Sequence, residues 1–253
     1  MMRRDCTITE SREISGGIYL MSFEAGDIAR EAAPGSFVHI KCGEGCLLRR
    51  PISIADAKGD GMTIVFEARG AGTRELARRR PGATADVLGP LGRGFGSVGG
   101  GTIAVGGGMG VPPLLFAARR AAPGSVTALL GFRDAGRVIL EREFRERCRD
   151  VHIMTEDGSE GGRGTVEAPL REYMERGGIS LIISCGPRPM LAAVARIAAQ
   201  YGTPCRVSLE ERMACGVGAC LGCACETTDG DGRREMRRVC RDGPVFDSRE
   251  VTW

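Results

Sequence analysis

Lysine and histidine are scarce in this 253-residue chain, and their scarcity excludes several classes of protein. Only two of the 35 basic residues, Lys41 and Lys58, are lysines, and neither stands in the Gly-Lys-Ser/Thr context of a phosphate-binding P-loop. A kinase or ATPase of that type is therefore excluded. With only two histidines, His39 and His152, the chain lacks the parts for zinc sites built on paired histidines and for most Ser-His relays.

Excess charge of one sign and long apolar runs are missing as well. The 35 basic residues against 32 acidic ones give a net charge of +3, too small to predict a polyanion-binding surface. No run approaches the roughly 18 consecutive apolar residues of a membrane-spanning helix, and the opening MMRRDCTITE has no apolar signal segment behind it. We therefore expect a soluble, cytoplasmic protein that binds neither nucleic acid nor membrane.

Glycine and cysteine are abundant instead, with 39 and 11 residues. Disulfide scaffolds are small secreted chains of under about 100 residues, and an odd number of cysteines would leave one thiol unpaired. In reducing compartments, clustered cysteines more often hold a metal. The cysteine pattern is thus the first positive indication of function.

The hydrophobic periodicity divides the chain into three regions. Residues 1–98 hold short alternating segments separated by Gly, Pro and Asp, which predicts an antiparallel β-barrel or sandwich domain. Residues 99–205 alternate four apolar strands with four helical stretches, which predicts a doubly wound parallel α/β domain, with its second helix over residues 142–150. Residues 206–253 lose this periodicity and predict a small, loop-rich domain organised by a metal.

Four cysteines of the third region have the spacing of a plant-type 2Fe-2S site. Cys215, Cys220 and Cys223 form C-x4-C-x2-C, and Cys240 follows after sixteen intervening residues. The small residues between them suit a loop whose backbone N–H groups approach the inorganic sulfurs. A four-cysteine zinc site and free redox thiols remain as alternatives. Cys225 competes for the fourth position, but we expect it to be a non-ligand.

Two segments of the barrel region suggest a flavin site. In RRPISIAD, Arg50 can clamp a pyrophosphate and Ser53 can reach a flavin ring nitrogen, although both also suit the solvated face of a strand. In VFEARGAGTREL, the backbone amides of Gly72 and Thr73 at a helix start form a candidate anion site. The alternative is a glycine turn with Thr73 as the N-cap.

Two loops of the second region suggest a nicotinamide site. The first loop, AVGGGMGVPP, follows a predicted strand and begins a predicted helix, and its candidate binding residues are Gly106, Gly107, Gly108 and Gly110. It does not match the G-x-G-x-x-G pattern, because Val111 stands where the third glycine belongs. LIISCGPRPM places Cys185, Gly186 and Pro187 at a matching strand end. The two loops are expected to bracket the ligand, with Arg133 as a candidate phosphate contact. Both histidines fall within strand patterns and are expected to be structural.

With these residues in hand, the chain resembles the iron-sulfur electron-transfer subunits of type B dihydroorotate dehydrogenase, a branch of the ferredoxin-NADP reductase superfamily. The resemblance follows seven motifs in order: RRPISIAD, GAGT, DVLGPLG, GGGMGVPP, SCGPRPM, ERMACGVGACLGCAC and VCRDGPVF. It implies an FAD-binding barrel at 1–98, an NAD-binding α/β domain at 99–205 and a 2Fe-2S domain at 206–253. It also implies docking on an FMN-containing catalytic subunit, as a heterotetramer with two copies of each.

The resemblance assigns residues to each group. Cys215, Cys220, Cys223 and Cys240 map onto the four cluster ligands. The implied FAD contacts are Arg50, Pro51, Ile52, Ser53, Val65, Phe66, Glu67, Gly72 and Thr73. The superfamily usually has Tyr where Ile52 stands, so an aromatic stack on the flavin from that position is lost in this chain, and related subunits often have Arg near Glu67.

The implied function is dihydroorotate dehydrogenation with NAD+ in de novo pyrimidine biosynthesis. Electrons from the partner's FMN are expected to cross the cluster to FAD and to leave as a hydride to NAD+, with no acid or base residue required of this chain. The alternative is the small subunit of an NADH-dependent ferredoxin:NADP oxidoreductase, a sulfide dehydrogenase or a hydrogenase diaphorase. Those subunits can replace one cluster cysteine with Asp, whereas four cysteines are present here.

Overall fold

The computed structural model describes residues 1–43 and 45–253, and its N-terminal strands close into an antiparallel barrel. This confirms the fold predicted for that region. The strands are β1 (Met2–Ser15), β2 (Ile18–Glu24), β3 (Phe37–Ile40), β4 (Arg50–Lys58), β5 (Gly61–Glu67) and β6 (Thr84–Leu91). Their order around the barrel is β1-β2-β5-β4-β3-β6.

Alternation of apolar and polar residues along the strands fills the barrel. In β6, for example, every second residue from Ala85 onward is buried. Ile54 of β4 and Ile64 of β5 pair directly across the sheet and are fully buried, and burial of such a side chain contributes about 1.5–3 kcal/mol. Two short helices, α1 (Asp27–Glu31) and α2 (Ala71–Ala77), follow β2 and β5.

The second region forms the parallel sheet that the alternating pattern predicts. Its strands are β7 (Thr102–Gly107), β8 (Val126–Phe132), β9 (Asp150–Thr155), β10 (Gly162–Arg163), β11 (Leu181–Cys185) and β12 (Cys205–Ser208). They lie in the order β10-β9-β8-β7-β11-β12. The chain moves outward from β7 to β10 and then returns to the other side of β7 with β11, so the switch point of the sheet lies between β7 and β11.

Four helices connect these strands, and one is shorter than predicted. They are α3 (Val111–Arg120), α4 (Glu141–Arg145), α5 (Glu167–Arg176) and α6 (Arg188–Gln200). The helix expected over residues 142–150 ends at Arg145, because the Arg149 N–H bonds to the Val126 carbonyl at 2.8 Å and the chain enters β9. Among the described residues, no helix is both long and apolar enough to cross a bilayer.

The C-terminal region is loop-rich, but it is not separate from the parallel sheet. The strands β13 (Ala224–Thr228) and β14 (Arg234–Arg238) form a separate two-stranded sheet, whereas β15 (Val245–Asp247) pairs antiparallel with β12 and becomes the seventh strand of the large sheet. The predicted boundary at 205/206 therefore falls inside β12. The periodicity of residues 206–253 gave no sign of this pairing, since three residues of β15 are too few to show a pattern.

The barrel and the sheet share one apolar core at the seam between β4 and α3. Leu20 and Val65 of the barrel belong to the same buried cluster as Val111 and Leu114 of α3. Close by, an ion pair joins Asp56 to Arg119. The seam therefore holds the barrel and the first loop of the sheet in one fixed arrangement.

Candidate functional site

A cleft of about 260 Å³, here named the barrel cleft, lies where the barrel meets the sheet. β4 and β5 form one wall, and the segment after β12 forms the other. Eight of the predicted cofactor residues line it: Pro51, Ile52, Ser53, Val65, Phe66, Glu67, Thr73 and Cys185. The walls are mostly apolar with a few polar groups, which is the usual character of a cofactor site.

Arg50 and Gly72 lie just outside the residues that line the cleft, and they contact each other. A Cβ atom built on Gly72 would lie 2.9 Å from Arg50 Nε, so only a glycine lets the guanidinium pack so closely on the start of α2. Gly70 is the N-cap of α2, and its N–H donates to Thr73 Oγ1 at 3.2 Å. The alternative that made Thr73 the N-cap is therefore wrong: Thr73 occupies the third position of the helix.

A second cleft of about 440 Å³, the sheet cleft, opens at the ends of β7 and β11. The predicted residues Gly107, Gly108, Gly110, Gly186 and Pro187 line it, so the two loops do meet at one edge of the sheet. This edge is the switch point where such sheets bind ligands. The sheet cleft is continuous with the barrel cleft through four shared residues: Glu67, Arg69, Met109 and Glu210.

Two glycines of the first loop serve packing. A Cβ atom on Gly106 would lie 2.9 Å from Val111 Cγ2, so Gly106 lets α3 pack close to β7 and does not line a cleft. A Cβ atom on Gly110 would overlap the carbonyl of Cys185, so this glycine lets the two sheet loops touch. The absence of a side chain at Gly110 thus sets the width of the sheet cleft.

A third cleft of about 500 Å³, the outer cleft, continues from the sheet cleft. The two share Gly107, Gly108, Phe132, Arg133 and Pro187. Arg133, the candidate phosphate contact, thus lies at the junction between them. The three clefts together form one open channel from the barrel across the sheet edge.

The junction between the barrel and sheet clefts carries charges. The Glu67 carboxylate is paired with Arg69 at 2.8 Å and with Arg137 at 2.9 Å. The walls around the Glu210 side chain desolvate it and raise the pKa of its carboxyl group, although the charge of Arg69 acts in the opposite direction. Burial also raises the pKa of the Cys185 thiol, to about 12, so that thiol is neutral at ordinary pH.

The four predicted cluster ligands come together around residues 215–223, here named the thiol loop. Backbone N–H groups point at their sulfurs: Val217, Ala219 and Cys220 donate to Cys215 Sγ at 3.3–3.4 Å, and Gly218 donates to Cys240 Sγ at 3.2 Å. Gly222 donates to Cys220 Sγ and Cys240 to Cys223 Sγ, which makes six such donors. A loop built this way stabilises negative charge on sulfur.

The thiols are arranged as two neighbouring pairs. The Cys220 N–H donates to Cys215 Sγ at 3.4 Å, which joins these two residues, and the Cys240 N–H donates to Cys223 Sγ at 3.4 Å, which joins the other two. Among residues 1–43 and 45–253, no three His, Cys, Asp or Glu side chains converge on one point where a single ion would sit. Four thiols in two pairs, with six N–H donors, fit a two-iron cluster in which each iron takes two thiolates.

The comparisons with known proteins agree with this geometry. A family model described as the iron-sulfur cluster binding domain of dihydroorotate dehydrogenase B matches residues 210–252. The dihydroorotate dehydrogenase B (NAD(+)) electron transfer subunit of Desulforamulus reducens is 41% identical over 95% of this chain and 94% of its own length. The subunit of the same name from Caldanaerobacter subterraneus subsp. tengcongensis is 38% identical, covering 96% of both chains.

This chain belongs to the family of dihydroorotate dehydrogenase B electron transfer subunits. A solved structure of an NADH-dependent reduced ferredoxin-NADP oxidoreductase is also similar, with a TM-score of 0.82, 27% identity, and coverage of 98% of this chain and 90% of that one. The family is that of an oxidoreductase component with FAD and an iron-sulfur cluster. The fold and the cofactors predicted from the sequence are thereby confirmed.

Several cleft residues of this electron transfer subunit escaped the sequence analysis. Arg69, Met109 and Arg137 carry no local signal, because Arg69 reaches the clefts from the segment between β5 and α2, and the other two from single turns of 3-10 helix. Glu210 did leave a signal: it lies two residues after the end of the strand β12, and the carboxyl ends of parallel strands are where ligands bind. Phe37 of β3 also lines the barrel cleft, beside the position where Ile52 replaces the usual Tyr.

Two remaining sequence expectations concern residues away from the clefts. Cys225 lies in β13 opposite Arg237, buried in the apolar cluster that also holds Cys223; its exclusion as a ligand stays a prediction. His152 of β9 bonds to the Tyr173 hydroxyl at 2.9 Å, and that hydroxyl donates to Asp150 at 3.2 Å. A polar side chain with these partners fits the structural role expected for His152.

Proposed function

We propose that this chain carries electrons from the FMN of a dihydroorotate-oxidising partner subunit to NAD+, as a heterotetramer with two copies of each subunit. One observation carries the proposal. The wall of the barrel cleft formed by residues 208–213 leads directly to Cys215, while Met109 and Cys185 in the same cleft come from the two sheet loops. A flavin in the barrel cleft thus adjoins both the thiol loop and the nicotinamide loops.

The residues present are suited to hold each group. Pro51, Ile52, Ser53, Val65 and Phe66 would face FAD, with Glu67, Thr73 and Cys185 nearby and Arg50 on Gly72 at the cleft's edge. Gly107, Gly108, Gly110, Gly186 and Pro187 would hold NAD(H). Cys215, Cys220, Cys223 and Cys240 would hold the 2Fe-2S cluster. The bound groups would supply one-electron transfer at the cluster and exchange between one-electron and hydride chemistry at FAD.

The protein's own contribution is orientation and charge. The seam between β4 and α3 fixes the barrel cleft against the sheet loops, so two ligands held there meet in one geometry. The apolar side chains of Ile52, Val65 and Phe66 exclude water from the cleft. Cys185 stays protonated and uncharged beside it, because burial raises its pKa to about 12.

A cytoplasmic location is part of the proposal. None of the eleven cysteines is in a disulfide, including the buried Cys6, Cys42 and Cys205. Thiols persist in the reduced state in the cytosol, whereas oxidising compartments favour disulfides.

A second candidate follows from the similarity to the NADH-dependent reduced ferredoxin-NADP oxidoreductase, whose structure covers nearly the whole chain. The curated relatives at 38–41% identity favour the first candidate over this one at 27%. Purification with the native partner separates the two. An FMN-containing partner that oxidises dihydroorotate supports the first, and a partner that transfers electrons between ferredoxin and NADP supports the second.

The decisive experiment compares Cys220→Ser with Cys225→Ser in the complex with the partner. Cys220→Ser removes a cluster ligand, so dihydroorotate-dependent NAD+ reduction falls to background, while direct reduction of the flavin by NADH continues. Cys225→Ser removes a buried thiol that we place outside the ligand set, so electron transfer stays near the wild-type rate. Equal rates in wild type and Cys220→Ser would contradict the proposal.

A further inference from the structure

His39 lies between the barrel cleft and the thiol loop. It sits in β3, where it pairs with Pro51 of β4, a residue of the barrel cleft. Its ring centroid is 5.7 Å from that of Phe37, which lines the same cleft. On its other side, the ring faces the thiol loop at Gly216. One side chain therefore spans from the flavin side of the barrel to the loop that carries Cys215.

The contact with Gly216 is close and involves the polar edge of the ring. A Cβ atom built on Gly216 would lie 2.7 Å from His39 Cε1, 2.8 Å from Nδ1 and 3.0 Å from Nε2. Gly216 also has φ +71°, a conformation that side chains other than glycine rarely adopt. The loop thus bends in left-handed geometry directly over the imidazole, with both ring nitrogens facing it.

Both nitrogens lack a partner within the described part of the chain. His39 is 0% exposed, and neither Nδ1 nor Nε2 has a hydrogen-bond partner there. An unpaired buried polar group is costly, and buried polar groups in folded proteins are nearly always paired. Histidine at this position is therefore unexplained by the protein alone, since an apolar side chain would fill the same space without the cost.

The charges around His39 favour its neutral form. Burial, and secondly the positive charge of Arg49, lower the pKa of the ring to about 4. Arg49 bonds to the His39 carbonyl at 3.4 Å and pairs with Asp86 at 2.6 Å, so it faces the backbone of β3. A neutral imidazole has one N–H donor and one acceptor nitrogen. Sulfur is the acceptor that the cluster site would offer.

We propose that His39 is a positioning residue for the iron-sulfur site: its ring N–H donates a hydrogen bond to a sulfur of the bound cluster and ties the thiol loop to the strand that borders the flavin cleft. The inference rests on the proposed function, since it assumes that the cluster occupies the thiol loop. It adds a side-chain donor from the barrel to the five backbone donors of the thiol loop and the N–H of Cys240. A hydrogen bond of this kind favours the more negative, reduced cluster and raises its reduction potential.

The test compares His39→Gln with His39→Met in the loaded complex. The two side chains are similar in length, but only Gln keeps an N–H donor. The potential is measured by redox titration followed by electron paramagnetic resonance. In His39→Met we expect the equilibrium constant for cluster reduction to fall about tenfold, which is 59 mV for one electron. In His39→Gln we expect a reduction potential close to that of the wild type. Equal potentials in the two variants, whether unchanged or lowered together, would overturn the proposal.

Isotope labelling gives a signature that packing alone does not produce. The chain has two histidines, and His152 is bonded to Tyr173 away from the thiol loop. With ¹⁵N-histidine, pulsed measurements on the reduced cluster should show a ¹⁵N coupling in wild type and in His152→Gln that disappears in His39→Gln. A coupling that persists without His39 would overturn the proposal.

The cluster-free chain provides a third readout. Without the cluster the ring nitrogens stay unpaired, so His39→Met should raise the urea midpoint of the cluster-free chain and lower that of the loaded one. Midpoint shifts of the same sign in both states would count against the hydrogen bond. If wild type itself loads no cluster, the proposed function fails; if wild type loads it and the variants behave alike, only the role of His39 fails.

Discussion

The barrel cleft and the thiol loop both contain cysteine, in opposite chemical states. Burial at the end of β11, reinforced by the charge of Glu210, raises the pKa of Cys185 to about 12. Burial acts the same way on Cys215, but N–H groups of the loop outweigh it and lower the pKa of that thiol to about 6. Residue type alone therefore does not decide whether a cysteine thiol is neutral: burial dominates at Cys185, and the backbone N–H groups of the loop dominate at Cys215.

The two regions also differ in how they are built. Paired strands hold the residues of the barrel cleft, so their positions follow from the ladder between β4 and β5. The thiol loop has no regular structure, and its shape depends on left-handed glycines and on N–H bonds to sulfur. A substitution in the cleft should therefore change one contact, whereas a backbone change in the loop should affect all four proposed ligands.

Gly216→Ala should have the largest effect. The new Cβ atom would meet the His39 ring, and the left-handed backbone would cost about 1–2 kcal/mol more. We expect the iron content per chain to fall to less than roughly half of the wild-type value, with flavin content preserved. Gly222→Ala is the matched control, since its Cβ atom would lie 3.5 Å from Cys220 Sγ in ordinary contact. Full iron loading of Gly216→Ala would show that the loop tolerates local change as the cleft does.

Gly110→Ala should have the next largest effect, confined to the nicotinamide side. Its Cβ atom would overlap the Cys185 carbonyl and push the two sheet loops apart, an overpacking that costs about 1–3 kcal/mol. We expect NADH binding, followed by titration calorimetry, to weaken at least about tenfold, or 1.4 kcal/mol, while iron content stays unchanged. Gly99→Ala has open space around its Cβ atom and should bind NADH normally. An equal loss in both variants would contradict this account of the sheet loops.

Glu210→Gln should have the smallest effect, on stability and its pH dependence. The cleft raises the pKa of Glu210 above its ordinary value, so between the two values the folded chain holds a proton that the unfolded chain has lost. The stability that this carboxyl group contributes is fully present at pH values below its ordinary pKa, and it is lost as the pH rises through the raised pKa of the folded chain.

The amide does not ionise, so Glu210→Gln should melt above wild type at pH 7 and level with it at pH 4, as measured by calorimetry on the cofactor-free chain. Glu211→Gln is the control: the Glu211 carboxylate faces Arg188 at 3.9 Å, so its removal should not raise the melting temperature at pH 7. A higher melting temperature for the wild type than for Glu210→Gln at pH 7 would contradict the predicted sign of the effect.

The sequence predicts the two regions unequally well. Alternation along β4 and β5 and the C-x4-C-x2-C spacing led to the barrel and to the four cysteines, because local pattern and ligand chemistry are both written in consecutive residues. Arg137 was missed because its approach to Glu67 depends on where a distant turn meets β5, and Arg69 was missed because only the conformation of the turn after β5 directs it back to Glu67. The early end of α4 likewise follows from a bond to Val126 of the neighbouring strand, which no local periodicity contains.

The pairing of β12 with β15 has a consequence for the history and engineering of the chain. Ser208 and Val245 lie directly opposite each other in the ladder, so the segment of residues 209–244 leaves the sheet and returns to it at neighbouring positions. The stretch between them carries the four predicted cluster cysteines and also contributes Glu210 and Met213 to the wall of the barrel cleft. Joining Ser208 to Val245 through a tight turn would leave the ladder between β12 and β15 intact. A different redox module fused at the same two residues would occupy the same position next to the flavin site.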